Sequence, residues 1–496
     1  MNPQEIIDIL DGEKRDDSEL SVRRGKLGDI LKSGEIPYKA KFEITHNLGE
    51  VSALKVDDYA KIAGRVVSKR GFGKFMFLRL SSAAGAMQIS ASINDFDETT
   101  YEFLKTIDVG DYIGACGVIY LTKTEELTVK CSEIVLLSKS LRPLPEKWHG
   151  LENVDLRFRQ RYLDLTVNKD VQQAFLARSK IISFIRRHLE ENSFLEVETP
   201  ILQSVASGAA ARPFMTHHNT LEKDFYLRIA PEMYLKQVVA GGFDRVFEIG
   251  KNFRNEGMDA SHLQEFTMLE WYAAYWDYNQ NIAFVSGLIK DLLQEIKGDL
   301  KVEYGDKTLD FNGDWPMVDF NATVSELAGL DVSKITDIKE LQDKISEKNL
   351  LTKDEIASCK SVSALIDMLY KRKIRPDIIQ PTVLYNYPAC LIPLARRNDA
   401  DYTLIDMFQI VVNGWEIVKA YSELVDPITQ RQTFVEQAEN SAKGDEEAFE
   451  IDEDFIKAME HGFPPMSGLG LGLDRLVALI TNQETLRDVV LFPQVK

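Results

Sequence analysis

Residues 253–272, FRNEGMDASHLQEFTMLEWY, constrain the fold more than any other stretch of the chain. Two apolar runs flank a polar loop holding Gly257, Asp259 and Ser261, so strand, loop and antiparallel strand is the expected form. Arg254 and Glu256 stand two residues apart after the first run, His262 sits in the loop, and Phe266 opens the second run. Such a hairpin presents a guanidinium, an imidazole and an aromatic face to one anionic, planar ligand. ATP has that chemistry, because phosphates attract Arg and His and adenine favours stacking. On these residues alone the alternative is a polar hairpin carrying a surface Arg–Glu pair.

A chain of 496 residues has room for two or three domains, each with its own core. With 44% apolar and 28% charged residues it reads as an ordinary globular protein. No apolar run approaches the roughly 18 residues needed to cross a bilayer, and the start MNPQE is no signal peptide. No membrane association is expected. The four cysteines, Cys116, Cys131, Cys359 and Cys390, show no CxxC spacing, so they suggest neither a zinc site nor a disulfide framework. A cytoplasmic location fits them. The formal net charge of −19 argues against indiscriminate binding to nucleic acid, which needs local cations, yet leaves room for a basic patch.

Residues 1–55 are polar and mixed in charge, with helical patches at 4–10 and 19–31; they read equally as a mobile arm or as a segment leaning on the next domain. Residues 56–141 change to short alternating runs. AKIAGRVV, KFMFLRL, AMQISASI, DYIGACGVIYL and ELTVKCSEIVLL predict five strands, with a helix at 97–107 between the third and fourth. That is the layout of an OB-fold barrel. Residues 59–94 hold six basic side chains (Lys61, Arg65, Lys69, Arg70, Lys74 and Arg79) and no acidic one, an electrostatic footprint for an anionic strand. Phe75 and Phe77 fall on one face of the second strand, suited to stacking on unpaired bases, unless one of them is barrel core. The proline-rich stretch at 142–150 begins a connector that runs to 165. A helix is expected over 171–192, with apolar spacing at Phe175, Ile181, Ile182, Ile185 and Leu189.

FRNE followed by a loop and EFTMLE resembles motif 2 of the class II aminoacyl-tRNA synthetases. FLEVETP (194–200) resembles their motif 1, and GLGLGLDR (468–475) their motif 3. Three motifs in the family's order make a specific signal over essentially the whole chain, and the form most similar is the lysyl branch. The resemblance implies an α+β protein: an N-terminal five-stranded OB-fold barrel that binds the anticodon, then a class II catalytic domain over 166–496, an antiparallel sheet flanked by helices. A small helical insertion, about 323–372, matches short amphipathic segments such as IKELQDKISE. It also implies a homodimer acting on L-lysine, ATP with Mg2+, and tRNA(Lys).

By match to that family, Arg254 and Arg475 are the catalytic cations. Arg254 holds the α-phosphate and the amino acid's carboxylate, His262 the distal phosphates, and Glu256 and Phe266 the adenine, with Arg475 opposite Phe266. Gly208 and Glu232 take the α-ammonium. Glu270, Tyr272 and Glu423 close on the ε-ammonium, with Tyr421 along the lysine stem. Glu416 is the metal ligand. Phe77 and Gln88 match the anticodon-reading positions, with Arg65 beside them. In a buried pocket an ammonium needs fixed carboxylates, or desolvation defeats binding. The aspartyl and asparaginyl relatives carry an arginine where this chain has Glu423, and that position separates the two readings.

Residues 406–424 predict a hairpin with Asn413-Gly414 at its turn. Lys419, Tyr421 and Glu423 then share one side, whereas Glu416 has the other parity and reaches that side only through a bulge or from the start of the strand. His217 and His218 read as structural or surface residues. The acidic stretches at 445–447 and 450–454 read as a solvated face. Four departures from the family pattern stand out: His262-Leu-Gln-Glu265 for His-Asn-Pro-Glu, Gln409 for an acid that would ligate metal, Lys419, itself placed among the lysine-binding residues beside the substrate carboxylate and α-phosphate, for an asparagine, and YNYPACLIPLAR (385–396) for a charged stretch. They leave open a catalytically altered paralogue that binds tRNA or a partner. A ligase that lysylates a protein is disfavoured by residues 57–141.

Overall fold

The computed structural model describes residues 2–14, 16–72, 74–145, 151, 153–205, 208, 211–442 and 452–495. Residues 146–150 and 152 of the connector, the acidic stretch at 445–447 and the start (450–451) of the one at 450–454 lie outside these residues, as does Ser207 next to Gly208. The chain divides into two compact units, residues 1–153 with 162–168, and residues 154–161 with 169–496.

The first unit is a closed barrel. Its strands β1 (Tyr59–Phe72), β2 (Phe75–Ser82), β3 (Gly85–Ser92), β4 (Tyr112–Leu121) and β5 (Leu127–Ser138) close in the order β1-β2-β3-β5-β4. Period-two alternation sends Ile62, Leu78, Leu80, Ile89, Ile113 and Val129 inward. The expected helix is Glu98–Thr106, capped by Asp97, whose side chain accepts from the Thr100 amide at 2.8 Å. The N-terminal segment forms two helices, Pro3–Gly12 and Glu19–Lys32, that bury Ile7, Leu10, Leu27 and Leu31 against each other. Arg23 ties the second helix to the barrel by donating to the Val109 and Ser140 carbonyls, and Lys26 pairs with Asp108 at 2.5 Å. Of the two readings of this segment, leaning on the next domain is the one the structure takes.

In the second unit the strands are, in chain order, β6 (Leu195–Glu196), β7 (Leu202–Gln203), β8 (Phe214–His218), β9 (Lys223–Leu227), β10 (Arg245–Phe253), β11 (Glu265–Ala274), β12 (Lys301–Tyr304), β13 (Lys307–Asp310), β14 (Met317–Asp319), β15 (Thr382–Pro388), β16 (Leu404–Val412), β17 (Trp415–Ser422) and β18 (Met466–Gly472). Eight of them form one sheet in the order β14-β15-β16-β17-β18-β11-β10-β6, antiparallel except at its two ends. β7, β9 and β8 form a small separate sheet, and β12 pairs with β13.

Alternation along β11 sorts the large sheet's two faces. Leu269, Trp271 and Ala273 pack with Ile410, Val418 and Leu471 under the helices Lys169–Glu191 and Tyr278–Lys297. Burying the Trp271 indole is compatible with its polar N–H because Asn281 accepts that hydrogen at 2.8 Å. The opposite face of β11 carries Phe266, Met268, Glu270 and Tyr272 into a cavity. The helices Phe320–Ala328, Ile338–Glu347, Lys353–Ser358 and Val362–Lys373 follow β14 and share a core with Met407 and Tyr421.

Candidate active site

The cavity, about 270 Å³, is floored by β11, β18 and β17. Its first wall is the hairpin read from the sequence: β10 and β11 pair from Arg245↔Ala273 to Phe253↔Glu265, and residues 254–264 form the loop. The loop is braced from within. The Arg254 amide donates to the Gln264 carbonyl at 2.8 Å, and Gln264 Nε2 donates to the Glu256 carbonyl at 3.0 Å. Asp259 bonds the Ser261 amide and His262 Nδ1, at 2.7 and 2.8 Å, which orients the imidazole at the rim.

The central strand β18 adds no side chain to the floor because Gly468, Gly470 and Gly472 alternate on that face, which leaves room for side chains from neighbouring strands. A Cβ at Gly468 would overlap the Tyr272 ring and the Glu423 carboxylate. Beyond the last of these glycines, the helix Leu473–Ile480 is pinned by Asp474, which accepts from the Thr267 amide at 2.8 Å and pairs with Arg178 at 2.6 Å.

One end of the cavity is acidic. Glu232, the first residue of the helix Glu232–Ala240, accepts from the Tyr421 hydroxyl at 2.8 Å and from Lys236 at 2.5 Å. A carboxylate there also complements the helix dipole, so the two roles read for Glu232 coexist. An added Cβ on Gly208 would lie 3.2 Å from that of Glu232, so these two expected partners adjoin. Glu423, expected to meet a ligand's ammonium, pairs with Lys236 at 2.5 Å and adjoins Gly468 and Tyr272, both of which line the cavity. Both side chains are only 1% exposed, and a carboxylate so buried needs a cation beside it. Burial opposes the charge on Lys236, but Glu232 and Glu423 outweigh it and raise the pKa of the ammonium.

Glu270 differs from both. It is 5% exposed and lines the cavity beside Tyr272, and among the described residues no hydrogen bond or ion pair engages its carboxylate. Burial, reinforced by the charge on Glu232, pushes its pKa up to about 8. Its cross-strand partner Glu248 is already satisfied by Arg228 and by the Thr199 amide and hydroxyl.

The other end is cationic. Arg254 lies over the Phe266 ring, its guanidinium 5.0 Å from the ring centre. Arg475, expected opposite Phe266, donates to the Glu416 carbonyl at 2.8 Å and the Ser261 carbonyl at 3.5 Å. Asn413 and Gly414, with φ of 49° and 71°, make the β16–β17 turn, as Asn-Gly favours. Both routes expected for Glu416 are met: it is the second residue of β17, and a bulge lies beside it, since Ile410 pairs with Val418 and Val411 with Glu416, leaving Ile417 as the extra residue. Glu416 and Lys419 thereby both line the cavity. Among the described residues no three His, Cys, Asp or Glu side chains gather as a metal site.

On the barrel, Phe75, Phe77 and Arg79 project from one side of β2 while Met76, Leu78 and Leu80 fill the core, so neither phenylalanine is core. Gln88 lies across from Arg79 and donates to the Thr128 hydroxyl at 2.9 Å. Arg65 pairs in register with Ser81, on the same side of β2 as Phe77 and Arg79, and stacks on Tyr112, 4.4 Å from its ring centre. Arg70 holds the place directly opposite Phe77. Lys69 leaves the basic footprint altogether, since its ammonium caps the helix Glu98–Thr106 by donating to the carbonyls of Leu104, Lys105 and Ile107. His217 pairs with Asp224 on the small sheet's surface, away from the cavity lining.

A family model described as tRNA synthetases class II (D, K and N) matches residues 153–496, and one described as an OB-fold nucleic acid binding domain matches residues 60–137. The lysine–tRNA ligase of Pelotomaculum thermopropionicum is 42% identical over 99% of this chain and 98% of its own length. That of Bacillus subtilis is 40% identical over 96% and 97%, and that of Aquifex aeolicus 43% over 97% and 79%. The chain belongs to the lysine–tRNA ligase family of class II synthetases. Within that family frame, sequence reasoning missed Lys236 and Arg228, and it named Arg70 only as one of six basic residues. The i, i+4 spacing of Glu232 and Lys236 was the available signal for the first of them.

The Glu270 carboxyl gives this ligase-family site a measurable pH signature. A folded pKa near 8 against about 4.3 in the unfolded chain means that folding keeps a proton the unfolded chain releases. Stability from this group is therefore lost as pH rises from about 5 to 8, by up to about 1.4 kcal/mol per pH unit. Glu270→Gln is expected to flatten that slope, as read by denaturant unfolding at pH 5, 6.5 and 8. An unchanged slope would mean Glu270 is ionised in the ligand-free fold.

Proposed function

We propose that the protein activates L-lysine with ATP and transfers it to tRNA(Lys), and that the cavity is where both chemical steps occur. The observation that carries this reading is Glu270: a buried carboxylate, facing open space, with no cation of its own among the described residues. An ammonium arriving on a ligand satisfies it, whereas the carboxylate of an aspartate substrate would be repelled. Glu270 and Tyr272 take the ε-ammonium. Glu232 and the Gly208 carbonyl take the α-ammonium. Glu423 acts at one remove, by holding Lys236 and through it Glu232.

The carboxylate of lysine then points toward Arg254. One of its oxygens attacks the α-phosphorus of ATP in line, the bond to the β-phosphate oxygen breaks, and pyrophosphate leaves. Lysyl-adenylate remains. No side-chain nucleophile is needed; positioning and charge neutralisation supply the rate. Phe266 offers its ring to adenine, Glu256 contacts the base, and His262 and Arg475 take phosphate oxygens. In the second step a hydroxyl of the tRNA's terminal ribose attacks the acyl carbon and AMP leaves with the bonding pair.

Mg2+ fits this site as an ion carried in on the triphosphate, because such an ion needs only one or two protein carboxylates beside the phosphates. Glu416 is the residue placed to hold it. Bound there, it would offset phosphate charge. The basic outer face of the barrel around Phe77, Gln88 and Arg70 suits the anticodon. Leu195, Leu202, Met215 and Phe243 are exposed apolar residues of the second unit, and a homodimer would cover such surface. No helix among the described residues is long and apolar enough to cross a membrane, and the four cysteines are free, which suits work in the cytoplasm.

ATP–pyrophosphate exchange scanned over twenty amino acids should respond to lysine above all others. Glu270→Gln should lower kcat/KM for lysine by about 2–4 kcal/mol, the cost of leaving a buried ammonium without its partner. Equal exchange with aspartate would overturn the assignment. Phe77→Ala should cost roughly 1–3 kcal/mol in tRNA charging, the scale of one base stack, while exchange stays at the wild-type rate. An equal fall in both steps would make Phe77 a packing residue.

A further inference from the structure

The cavity floor holds a cation that the reading above leaves without a task. Lys419 stands on β17 between its Cα partners Gln409 on β16 and Gly470 on β18. Glu270 is the next partner beyond Gly470. Because Gly470 has no side chain, nothing from β18 stands between Lys419 and Glu270, which lie two strand spacings apart, roughly 10 Å, with the Met268 methyl over Gly470. One row of the sheet thus carries an acidic side chain at one end and a basic one at the other.

Lys419 lines the cavity, and among the described residues it makes no hydrogen bond and no ion pair. Glu416, Asp367 and Glu232 act on it only at longer range. Burial lowers its pKa, so its charge is held at a cost that an anion from outside would relieve.

Gln409 explains why no acid of the chain serves. Its Oε1 accepts from the Tyr387 hydroxyl at 2.8 Å and the Tyr370 hydroxyl at 3.3 Å. With the oxygen so used, Nε2 faces Glu416 and donates to Oε2 at 2.5 Å. Gln409 therefore offers no oxygen to a hard cation, and one oxygen of Glu416 is occupied by a donor. A carboxylate at 409 would stand opposite Lys419 in register and neutralise it.

We propose that Lys419 is an anion-binding residue of this site, facing the amino acid's carboxylate or the α-phosphate, and that the neutral Gln409 keeps it available. The proposal rests on lysine activation as the reaction. It makes the ammonium a fixed monovalent cation beside the single carboxylate, Glu416, that is placed to hold a phosphate-borne Mg2+.

The test measures binding by calorimetry for wild type, Lys419→Met, Lys419→Arg and Gln409→Glu. The probes are L-lysine, lysinol (which lacks the carboxylate), and a non-hydrolysable ATP analogue with lysinol present. Lys419→Met should weaken binding on the order of 10- to 100-fold, the scale of one charge-assisted hydrogen bond, and Lys419→Arg should restore part of it. A loss for lysine but not lysinol assigns the carboxylate, and a loss for the nucleotide assigns the phosphate. Gln409→Glu should reproduce the same loss with Lys419 still present, and should increase the Mn2+ bound with the nucleotide, counted by electron paramagnetic resonance. If Lys419→Met binds all three probes as wild type does, Lys419 is a bystander and the inference falls. A wild-type protein that binds no lysine would instead overturn the proposed function.

Discussion

A single row of cross-strand partners governs the catalytic sheet: Glu248, Glu270, Gly470, Lys419 and Gln409 face one another in turn across five strands. Strand spacing fixes their separations, so the charges cannot drift together and cancel. Arg228 satisfies Glu248, and Glu416 with two tyrosine hydroxyls satisfies Gln409. The two residues beside the glycine are left, one acid and one base, facing a trough. Burial makes each uncomfortable alone. A ligand with an ammonium at one end and an anion at the other relieves both.

The next row repeats the design with a different solution. Tyr421, Gly468 and Tyr272 are successive partners, and Glu423 and Lys236 lie just behind them. Here the cation is built in, because Lys236 is shared by Glu232 and Glu423. Two acids with one lysine leave room for a further positive charge near Glu232, which suits an α-ammonium. The acids thus divide the labour by how many cations each already has, a division that burial and register impose.

Much of this was legible beforehand. Alternation marked the barrel strands and the parity of Lys419, Tyr421 and Glu423, and the other parity of Glu416 called for a bulge or a place at the strand's start, beside which the bulge at Ile417 is found. Asn413-Gly414 announced its turn. What sequence could not supply was pairing between distant segments. Nothing local links Glu423 to Lys236 or Gln409 to Tyr370, since each contact exists only once the sheet is assembled. The basic barrel segment was visible as a charge run, but register alone shows that Arg70 faces Phe77, that Arg65 belongs with Tyr112, and that Lys69 is occupied by a helix end.

The central claim is that the floor is polarised, acid toward Glu270 and cation toward Lys419 and Arg254. A crystal structure with a non-reactive sulfamoyl analogue of lysyl-adenylate tests it directly. The account predicts the ε-ammonium within hydrogen-bonding distance of Glu270 and Tyr272, with the sulfamoyl group between Arg254 and Lys419. An analogue bound with its ammonium remote from Glu270, or with Lys419 turned away from the sulfamoyl oxygens, would contradict it.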